Sequence, residues 1–484
     1  MKIIMSNCIE IQEPTSEMRK FCIKSLTHKN PEYEKKKRMG FWAYGMDKEI
    51  KLYNEYNGSL YVPIGFFNEL YNFHPHIKDY VDYTVVKKIN ISSQIKLRNY
   101  QELATPSIEK YINGIFVLPC GLGKTELALE CVNRLKQKTL WLTHTSDLVK
   151  QAKTRCETKM TCKTSAITEG KLDISGDIVF STIQTLIKFI NEGAIKQDEF
   201  GMIIVDECHR VAVNPSTLQM FRTCVEYFAS RYRLGLTATL HRADGLQKCI
   251  TRIIGDVIYE IQKDKDEYVC MYENRELLRF PVDAFQVPAC VQIIETNYDI
   301  IDKDVYSSNG GTIQFATLIS DLAKDDERNK LIVKTLKSIK GSTIVLSDRV
   351  EQLKYLCSQV EGGVQIDGGT PKKERQQALK DASEGKYKYL FASYSLAKEG
   401  LDVQILSNLV MATPVKDFAI VTQSVGRIQR PYEGKTQATV YDFVDNVGML
   451  HRFYSKRRST YVKNNWEILN PYLNQNMLLL ILLI

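Results

Sequence analysis

Twice along this chain, short apolar runs alternate with segments that have the apolar spacing of helices. In residues 93–262 the apolar runs are Ile115–Leu118, Thr139–Leu142, Asp177–Phe180, Met202–Val205 and Leu234–Thr237. In residues 263–450 they are Ser342–Leu346, Val364–Ile366, Tyr389–Ala392, Leu409–Ala412 and Thr439–Phe443. This alternation is typical of parallel strands joined by crossover helices. It predicts an α/β fold with two parallel-sheet lobes in tandem.

The segments that flank these lobes have a different character. Residues 1–92 are rich in Tyr, Lys and Asn and are expected to form a small N-terminal α+β domain, whereas residues 451–484 are expected to form a C-terminal tail. A chain of 484 residues has room for about three domains. The stretch at 29–44 mixes Lys and Arg with Tyr33, Phe41, Trp42 and Tyr44, which suits contact with DNA. An ordinary domain core with a solvated basic face explains the same pattern equally well.

The composition excludes several classes of protein. The 12 cysteines include no CxxC pair, so a zinc module is not expected, and the apolar surroundings of several of them suit a reducing compartment such as the cytoplasm. No run of 18 apolar residues is present, so no membrane span is expected. The formal net charge of +8 fits a polyanionic partner without establishing one.

The residues after the first apolar run have the composition of a phosphate-binding loop. Pro119 is followed by Cys120, Gly121, Leu122, Gly123, Lys124, Thr125 and Glu126, and an amphipathic helix comes next. Glycines allow backbone amides to converge on phosphate oxygens, and the helix N-terminus adds positive potential. Lys124 is expected to reach the β- and γ-phosphates of ATP, and Thr125 to ligate Mg²⁺. Leu118 stands where the full pattern has glycine.

Two adjacent carboxylates end a later apolar run. Asp206 and Glu207 follow Val205 and are themselves followed by Cys208 and His209. Asp206 suits a Mg²⁺ ligand, and Glu207 suits the general base that activates the attacking water. His209 is placed to sense the γ-phosphate and to pass that state to neighbouring loops.

Two arginines in the second lobe suit phosphate chemistry. Gln423, Gly426, Arg427 and Arg430 follow one another in a predicted helix, where Arg427 and Arg430 would share one face. Planar guanidinium groups fork onto phosphate oxygens. We expect both to act as arginine fingers on the transition state, an effect worth about 10³–10⁵ in rate elsewhere.

Together these motifs resemble the superfamily 2 helicases, and Asp-Glu-Cys-His resembles their DExH branch. The likeness covers about residues 93–450 and is strongest to phage and viral DNA helicases of the UvsW and XPB-like type; the helicase subunit of type III restriction enzymes is similar too. The resemblance implies two RecA-like lobes. It also implies ATP hydrolysis with Mg²⁺, which would drive movement along single-stranded or branched DNA in recombination or repair. A monomer is expected, located in the cytoplasm, or in the host cytoplasm if the protein is viral.

The resemblance also implies roles for residues outside the three strong motifs. Gln101 would contact the adenine base, and Gly400 and Asp402 would lie near the nucleotide. Thr237, Ala238 and Thr239 would couple hydrolysis to strand movement. The implied nucleic-acid contacts are Thr143, Thr182, Gln184, Arg349, Gly368 and Gly369, although threonines after strands often serve only as helix caps and the two glycines would also suit a plain turn.

Alternatives to a DNA helicase remain open at this point. An RNA or transcript-release helicase would have the same motifs. The motor subunit of a restriction complex would need a nuclease partner, since no appended nuclease motif is present. A nucleotide-dependent switch without turnover would be expected to lack part of the catalytic set, and Lys124, Glu207 and Arg427 are all present.

Overall fold

The computed structural model describes residues 1–40, 45–75, 80–119, 121–210, 215–240, 245–282, 286–300, 314–398 and 403–469. The chain divides into two compact units. The first comprises residues 1–262 and 269–279, and the second comprises residues 263–268 and 280–484. The first unit therefore includes both the predicted N-terminal domain and the first predicted lobe.

The N-terminal region contains a mixed sheet with strand order β5-β6-β2-β1-β7, and a separate pair β3-β4. The strands are β1 Lys2–Met5, β2 Ile9–Gln12, β3 Thr27–Lys29, β4 Glu49–Lys51, β5 Asn54–Tyr56, β6 Ser59–Val62 and β7 Tyr80–Asp82. The helices are α1 Ser16–Leu26, α2 Pro31–Arg38 and α3 Phe67–Phe73, with a 3-10 turn at Ile64–Phe66. Residues 41–44 of the basic, aromatic stretch lie outside the described residues.

The rest of the first unit is built on a sheet with strand order β12-β13-β10-β14-β15-β9-β16-β17-β18. From β12 to β16 neighbouring strands pair in parallel. The strands are β8 Ser92–Ser93, β9 Asn113–Val117, β10 Thr139–Thr143, β11 Met160–Thr161, β12 Thr164–Ala166, β13 Ile178–Thr182, β14 Met202–Asp206, β15 Tyr232–Thr237, β16 Val257–Asp264, β17 Glu267–Tyr272 and β18 Arg275–Pro281, with β8 and β11 paired apart from the sheet. The helices are α4 Asn99–Glu102, α5 Thr105–Tyr111, α6 Lys124–Leu135, α7 Ser146–Lys159, α8 Ile183–Asn191, α9 Pro215–Tyr227 and α10 Gln247–Ile254.

The second unit is built on a seven-stranded sheet with order β21-β22-β20-β23-β24-β19-β25, parallel throughout. Its strands are β19 Ala289–Glu295, β20 Thr343–Ser347, β21 Gly363–Ile366, β22 Tyr389–Ser393, β23 Asn408–Met411, β24 Ala438–Val444 and β25 Glu467–Leu469. Its helices are α11 Phe315–Lys324, α12 Asp326–Ser338, α13 Val350–Ser358, α14 Lys372–Ser383, α15 Tyr394–Lys398, α16 Phe418–Ile428 and α17 Gly448–Lys463.

The predicted α/β fold with two parallel-sheet lobes is confirmed, and each of the ten predicted strands is present to within two residues at either end. Residues 451–469, which the sequence analysis assigned to a C-terminal tail, lie in α17 and in β25, the edge strand of the second sheet. The physical reason is that Leu450, Phe453 and Tyr461 are apolar at helical spacing and are buried. The apolar end of the chain, residues 470–484, lies outside the described residues.

Candidate nucleotide site and coupling network

The phosphate loop follows β9 at the carboxyl edge of the first sheet, where ligands of such sheets bind. Gly121 (φ +87°) and Gly123 (φ +73°) both adopt the left-handed backbone conformation that favours glycine. At Gly123 a side chain is excluded for a second reason, because a Cβ there would lie 2.6 Å from Gln101 Nε2. Helix α6 then begins at Lys124, whose Nζ donates to the Leu118 carbonyl at 3.2 Å. Cys120 lies outside the described residues.

Gln101 is buried against the phosphate loop. Its Oε1 accepts from the backbone amide of Arg98 at 2.9 Å, and its Nε2 donates to the carbonyls of Leu122 at 3.2 Å and Gly123 at 3.0 Å. Both ends of the side-chain amide therefore bind backbone groups, and this connects helix α4 to the phosphate loop. Its contact with an adenine base stays a prediction.

The two adjacent carboxylates lie at the end of β14, close to the amine of the phosphate loop. Glu207 Oε1 is 4.0 Å from Lys124 Nζ, and Asp206 Oδ1 accepts from the Glu207 amide at 3.0 Å. Burial, together with the charge of Glu207, raises the pKa of Asp206 to about 7. Burial opposes ionisation of Glu207 as well, but Lys124, His209 and Arg210 outweigh it and lower its pKa. The surrounding positive groups therefore favour the ionised form of Glu207, which a general base requires.

A network of side-chain contacts connects this acidic box to the segment after β15, with an electrostatic contact between Glu207 and His209 and hydrogen bonds from His209 onward. His209 Nδ1 lies 3.3 Å from Glu207 Oε2 and 2.8 Å from Thr237 Oγ1. The Thr237 hydroxyl donates to the Thr239 carbonyl at 2.8 Å and accepts from the Thr239 amide at 3.1 Å. A hydroxyl has only one proton to donate, so the bond between His209 and Thr237 takes its proton from Nδ1. Ala238 lies between the two threonines that this network joins.

Arg155 on α7 is a member of the site that sequence reasoning missed. Its guanidinium donates to the Thr125 hydroxyl at 3.4 Å and lies 3.8 Å from Glu126, which also pairs with Lys159 at 3.0 Å. Arg155 and Lys159 are four residues apart and so share a helix face. That spacing was the only sequence signal, and it is equally common on solvated helix faces.

Three predicted nucleic-acid contacts of the first lobe follow neighbouring strands. The Thr143 hydroxyl donates to the Thr145 carbonyl at 2.8 Å, and Thr182 caps α8 by accepting from the Thr185 amide at 3.2 Å. Both hydroxyls therefore have a local structural role. Gln184 is exposed on the first turn of α8. Their contact with nucleic acid stays a prediction.

The expectation that Arg427 and Arg430 lie on one helix face is wrong for Arg430. Helix α16 contains Gln423 and Arg427 but ends at Ile428. Gln429 is buried and lies directly after the helix. Its side-chain Nε2 donates to the Val287 carbonyl at 3.1 Å, and its own carbonyl accepts from the Val287 amide at 2.9 Å. Pro431 adds to the effect, because the residue before proline avoids helical conformation.

The other predicted residues of the second unit follow its strands. Arg349 caps the start of α13 and donates to Ser320 Oγ at 3.0 Å and to the Ala316 carbonyl at 2.9 Å. Gly368 and Gly369 form a turn in which Asp367 Oδ1 accepts from the Gly369 amide at 2.8 Å. A Cβ at Gly368 would meet nothing within 4 Å. Gly400 and Asp402 lie outside the described residues.

The part of the chain that the structure describes contains no cluster of His, Cys, Asp and Glu suited to a metal ion. It also contains no helix that is long and apolar enough to cross a membrane. The donors that would hold Mg²⁺ beside ATP, the Thr125 hydroxyl and the Asp206 carboxylate, are oxygen atoms of the kind that this cation prefers.

Two family models match this chain. Residues 94–242 match the restriction-enzyme family described as "Type III restriction enzyme, res subunit", and residues 326–431 match "Helicase conserved C-terminal domain". A putative ATP-dependent RNA helicase of Acanthamoeba polyphaga mimivirus is 26% identical over 398 residues, which cover 79% of this chain and 70% of the relative. The DNA 3′-5′ translocase XPB2 of Sulfurisphaera tokodaii is 26% identical over 397 residues, which cover 76% of this chain and 86% of the relative.

A solved structure supports the same fold. S. cerevisiae Dbp5 bound to RNA and ADP BeF3 aligns with a TM-score of 0.56 at 16% identity, over 78% of this chain and 90% of that one. The two parallel sheets, the acidic box beside the phosphate loop and the two matched domains define an ATP-hydrolysing nucleic-acid helicase. The chain belongs to superfamily 2 of the helicases, as its motifs predicted.

Proposed function

We propose that the protein is an ATP-dependent DNA helicase or translocase that acts, as a monomer, on branched DNA of recombination and repair. The observation that carries the motor part of this proposal is the network of contacts from Glu207 through His209 to Thr237 and Thr239. It connects Glu207, which would activate water, to residues 237–239. Movement of these residues would be transmitted to a bound nucleic-acid strand. Because a bound γ-phosphate would lie beside Glu207, each turnover would change this network.

The proposed roles in the ATP site are as follows. Lys124 would neutralise the β- and γ-phosphates, Thr125 and Asp206 would hold Mg²⁺, and Glu207 would accept the proton of the attacking water. Gln101 fixes the phosphate loop through its Nε2, and its Oε1 would be the atom that contacts adenine. Arg427 and Arg430, together with Gln423, stabilise the charge that develops in the transition state, and Gly400 and Asp402 contribute near the nucleotide.

The preference for DNA is supported by the resemblance to DNA translocases of the XPB type. RNA is the second candidate substrate, because the mimivirus relative has the name of an RNA helicase at the same identity. The two candidates differ in the sugar of the strand, since RNA offers a 2′-hydroxyl that DNA lacks.

Unwinding assays on matched substrates test this proposal. A forked DNA duplex, a four-way DNA junction, a blunt linear DNA duplex and a forked RNA duplex would be incubated with the protein and ATP·Mg²⁺. We expect the branched DNA substrates to be resolved fastest and the Glu207→Gln variant to resolve none of them. Preferential unwinding of the RNA fork would replace the proposal with the second candidate.

A further inference from the structure

The charged residues on the outward face of helix α17 are all basic, and they are interspersed with Ser455, Ser459 and Val462. Its sixteen residues include no Asp or Glu. Arg452, Lys456, Arg458 and Lys463 are exposed, together with His451. The helix lies at the end of the second unit, beyond the region that the helicase family models cover.

The charges of this face are not balanced within the part of the chain that the structure describes. Arg452, Lys456 and Arg458 form no ion pair with any described residue, and Lys463 lies over the ring of Phe418 at 5.0 Å. Other helices of the same unit differ: Lys330 pairs with Glu327 at 2.7 Å. Lys354 pairs with Glu351 at 3.2 Å. An ordinary solvated helix face in this protein therefore mixes the two signs of charge.

The inner side of α17 is fixed rigidly to the sheet. Arg457 donates from Nε and one terminal nitrogen to Asp442 at 2.9 and 2.8 Å, and from the other to the Val415 carbonyl at 3.0 Å. Tyr461 donates to the same carboxylate at 2.7 Å. Because these groups are buried, the exposed cations stand on an element that keeps its orientation, which lowers the entropy lost on binding.

The spacing of the cations suits a phosphate backbone. Arg452, Lys456 and Lys463 follow one helical stripe, which spans about 16 Å at 1.5 Å per residue. A nucleic-acid strand advances about 3.4 Å per phosphate along a duplex axis, so the stripe matches about five phosphates. Like charges four residues apart, as in Arg452 and Lys456, destabilise a helix in the absence of an anion.

We propose that the outward face of α17 is a nucleic-acid-binding surface that contacts the phosphate backbone through the stripe Arg452, Lys456 and Lys463 and, at the opposite edge of the same face, through Arg458. The inference rests on the proposed function, since it gives the motor a further grip on its substrate. An anionic membrane is a poorer fit, because a membrane-surface helix turns an apolar face to the lipid, whereas the apolar side of α17 is buried in the second unit.

A charge-neutralising variant of the full chain tests the surface. Arg452, Lys456 and Arg458 are replaced by Gln together, and binding to labelled single-stranded and forked DNA is followed by fluorescence anisotropy from 50 to 300 mM salt. We expect binding at least about tenfold weaker near 0.1 M salt, and a log–log salt slope lower by about 2 to 3, because three phosphate contacts are lost. ATP hydrolysis without nucleic acid should match the wild type.

The matched control is Lys330→Gln, Lys334→Gln and Lys337→Gln on α12, which removes the same charge from exposed positions on a helix of the same unit. It should bind as the wild type does. A second variant, Arg452→Lys with Arg458→Lys, should bind nearly as well as the wild type, which separates charge from folding.

Three outcomes would overturn the inference. The α17 variant could bind with wild-type affinity and slope, or the α12 control could lose as much binding as the α17 variant. In both cases the proposed function stands if the wild type still unwinds DNA. If the wild type binds no nucleic acid at all, the proposed function fails together with the inference.

Discussion

At the scale of single residues, Glu207 is the most constrained group of the site. Its backbone φ of +51° lies in the left-handed region, which costs a residue with a side chain of the order of 1–3 kcal/mol. The conformation directs the carboxylate to Lys124 on one side and to His209 on the other. Backbone strain of this kind, held in place by the surrounding fold, is common at functional sites.

Replacing Thr237 by Val tests the coupling network at a single atom. The change removes the hydroxyl that meets His209 and both backbone groups of Thr239, but leaves Lys124 and Glu207 in place. We expect basal ATP hydrolysis within about threefold of the wild type and at least a tenfold loss of unwinding. Thr237→Ser keeps the hydroxyl and should retain both activities, and an equal loss in the two variants would contradict the role of the hydroxyl.

His144 makes stability depend on pH. Burial, with the charge of Arg210, lowers its pKa to about 4, whereas an unfolded histidine has a pKa of about 6.5. The unfolded chain therefore binds the proton more tightly, and stability is lost as the pH falls below about 6.5. The loss at pH 5 is about 2 kcal/mol relative to pH 7.5. Urea unfolding at both pH values should show this loss, and His144→Gln should reduce it; an unchanged pH dependence in the variant would exclude His144 as its source.

At the scale of elements, the position of α17 depends on a buried ion pair. Removing one partner of such a pair leaves an uncompensated buried charge and costs about 3–5 kcal/mol. We expect Arg457→Ala to destabilise the protein by about that amount in urea unfolding followed by circular dichroism. Its neighbour Arg458 is exposed, so Arg458→Ala should change stability by no more than about 0.5 kcal/mol. Similar effects of the two changes would contradict the proposed anchoring.

The elements that the sequence predicts well are those with a local cause. Buried parallel strands such as β10 and β14 have short runs of consecutive apolar residues, which can be recognised from the sequence alone. The end of α16 was missed although Pro431 is a local signal against helix at Arg430, and the buried contact of Gln429 with Val287, a residue distant in sequence, could not be predicted. Arg155 was missed because its approach to Thr125 is set by the packing of α7 on α6.

At the scale of the whole molecule, the N-terminal region and the first lobe share one hydrophobic core, which runs from Ile3 to Ile254. The contact is closest at Gly65, where a Cβ would lie 2.5 Å from both the Arg252 carbonyl oxygen and the Gly255 nitrogen. Residues 1–92 therefore contribute to the hydrophobic core of the first lobe. A role of the exposed basic residues of α2 in DNA binding is a separate prediction.

Two changes test this shared core. Gly65→Ala forces backbone apart and should lower stability by about 1–3 kcal/mol, while Gly448→Ala, whose Cβ would meet nothing within 4 Å, should have little effect. A chain that starts at residue 93 should be insoluble, because it exposes the apolar residues of α10. If a chain that starts at residue 93 is soluble and hydrolyses ATP, the first lobe does not depend on the core that it shares with residues 1–92.

The proposed motor requires that nucleic acid stimulates ATP turnover at this site. The most direct measurement is the rate of ATP hydrolysis by the full chain without nucleic acid, with single-stranded DNA and with RNA, beside the Glu207→Gln variant. We predict strong stimulation by DNA, weak stimulation by RNA and no turnover in the variant, which should fold as the wild type does. No hydrolysis with any nucleic acid, or hydrolysis that survives Glu207→Gln, would contradict the claim.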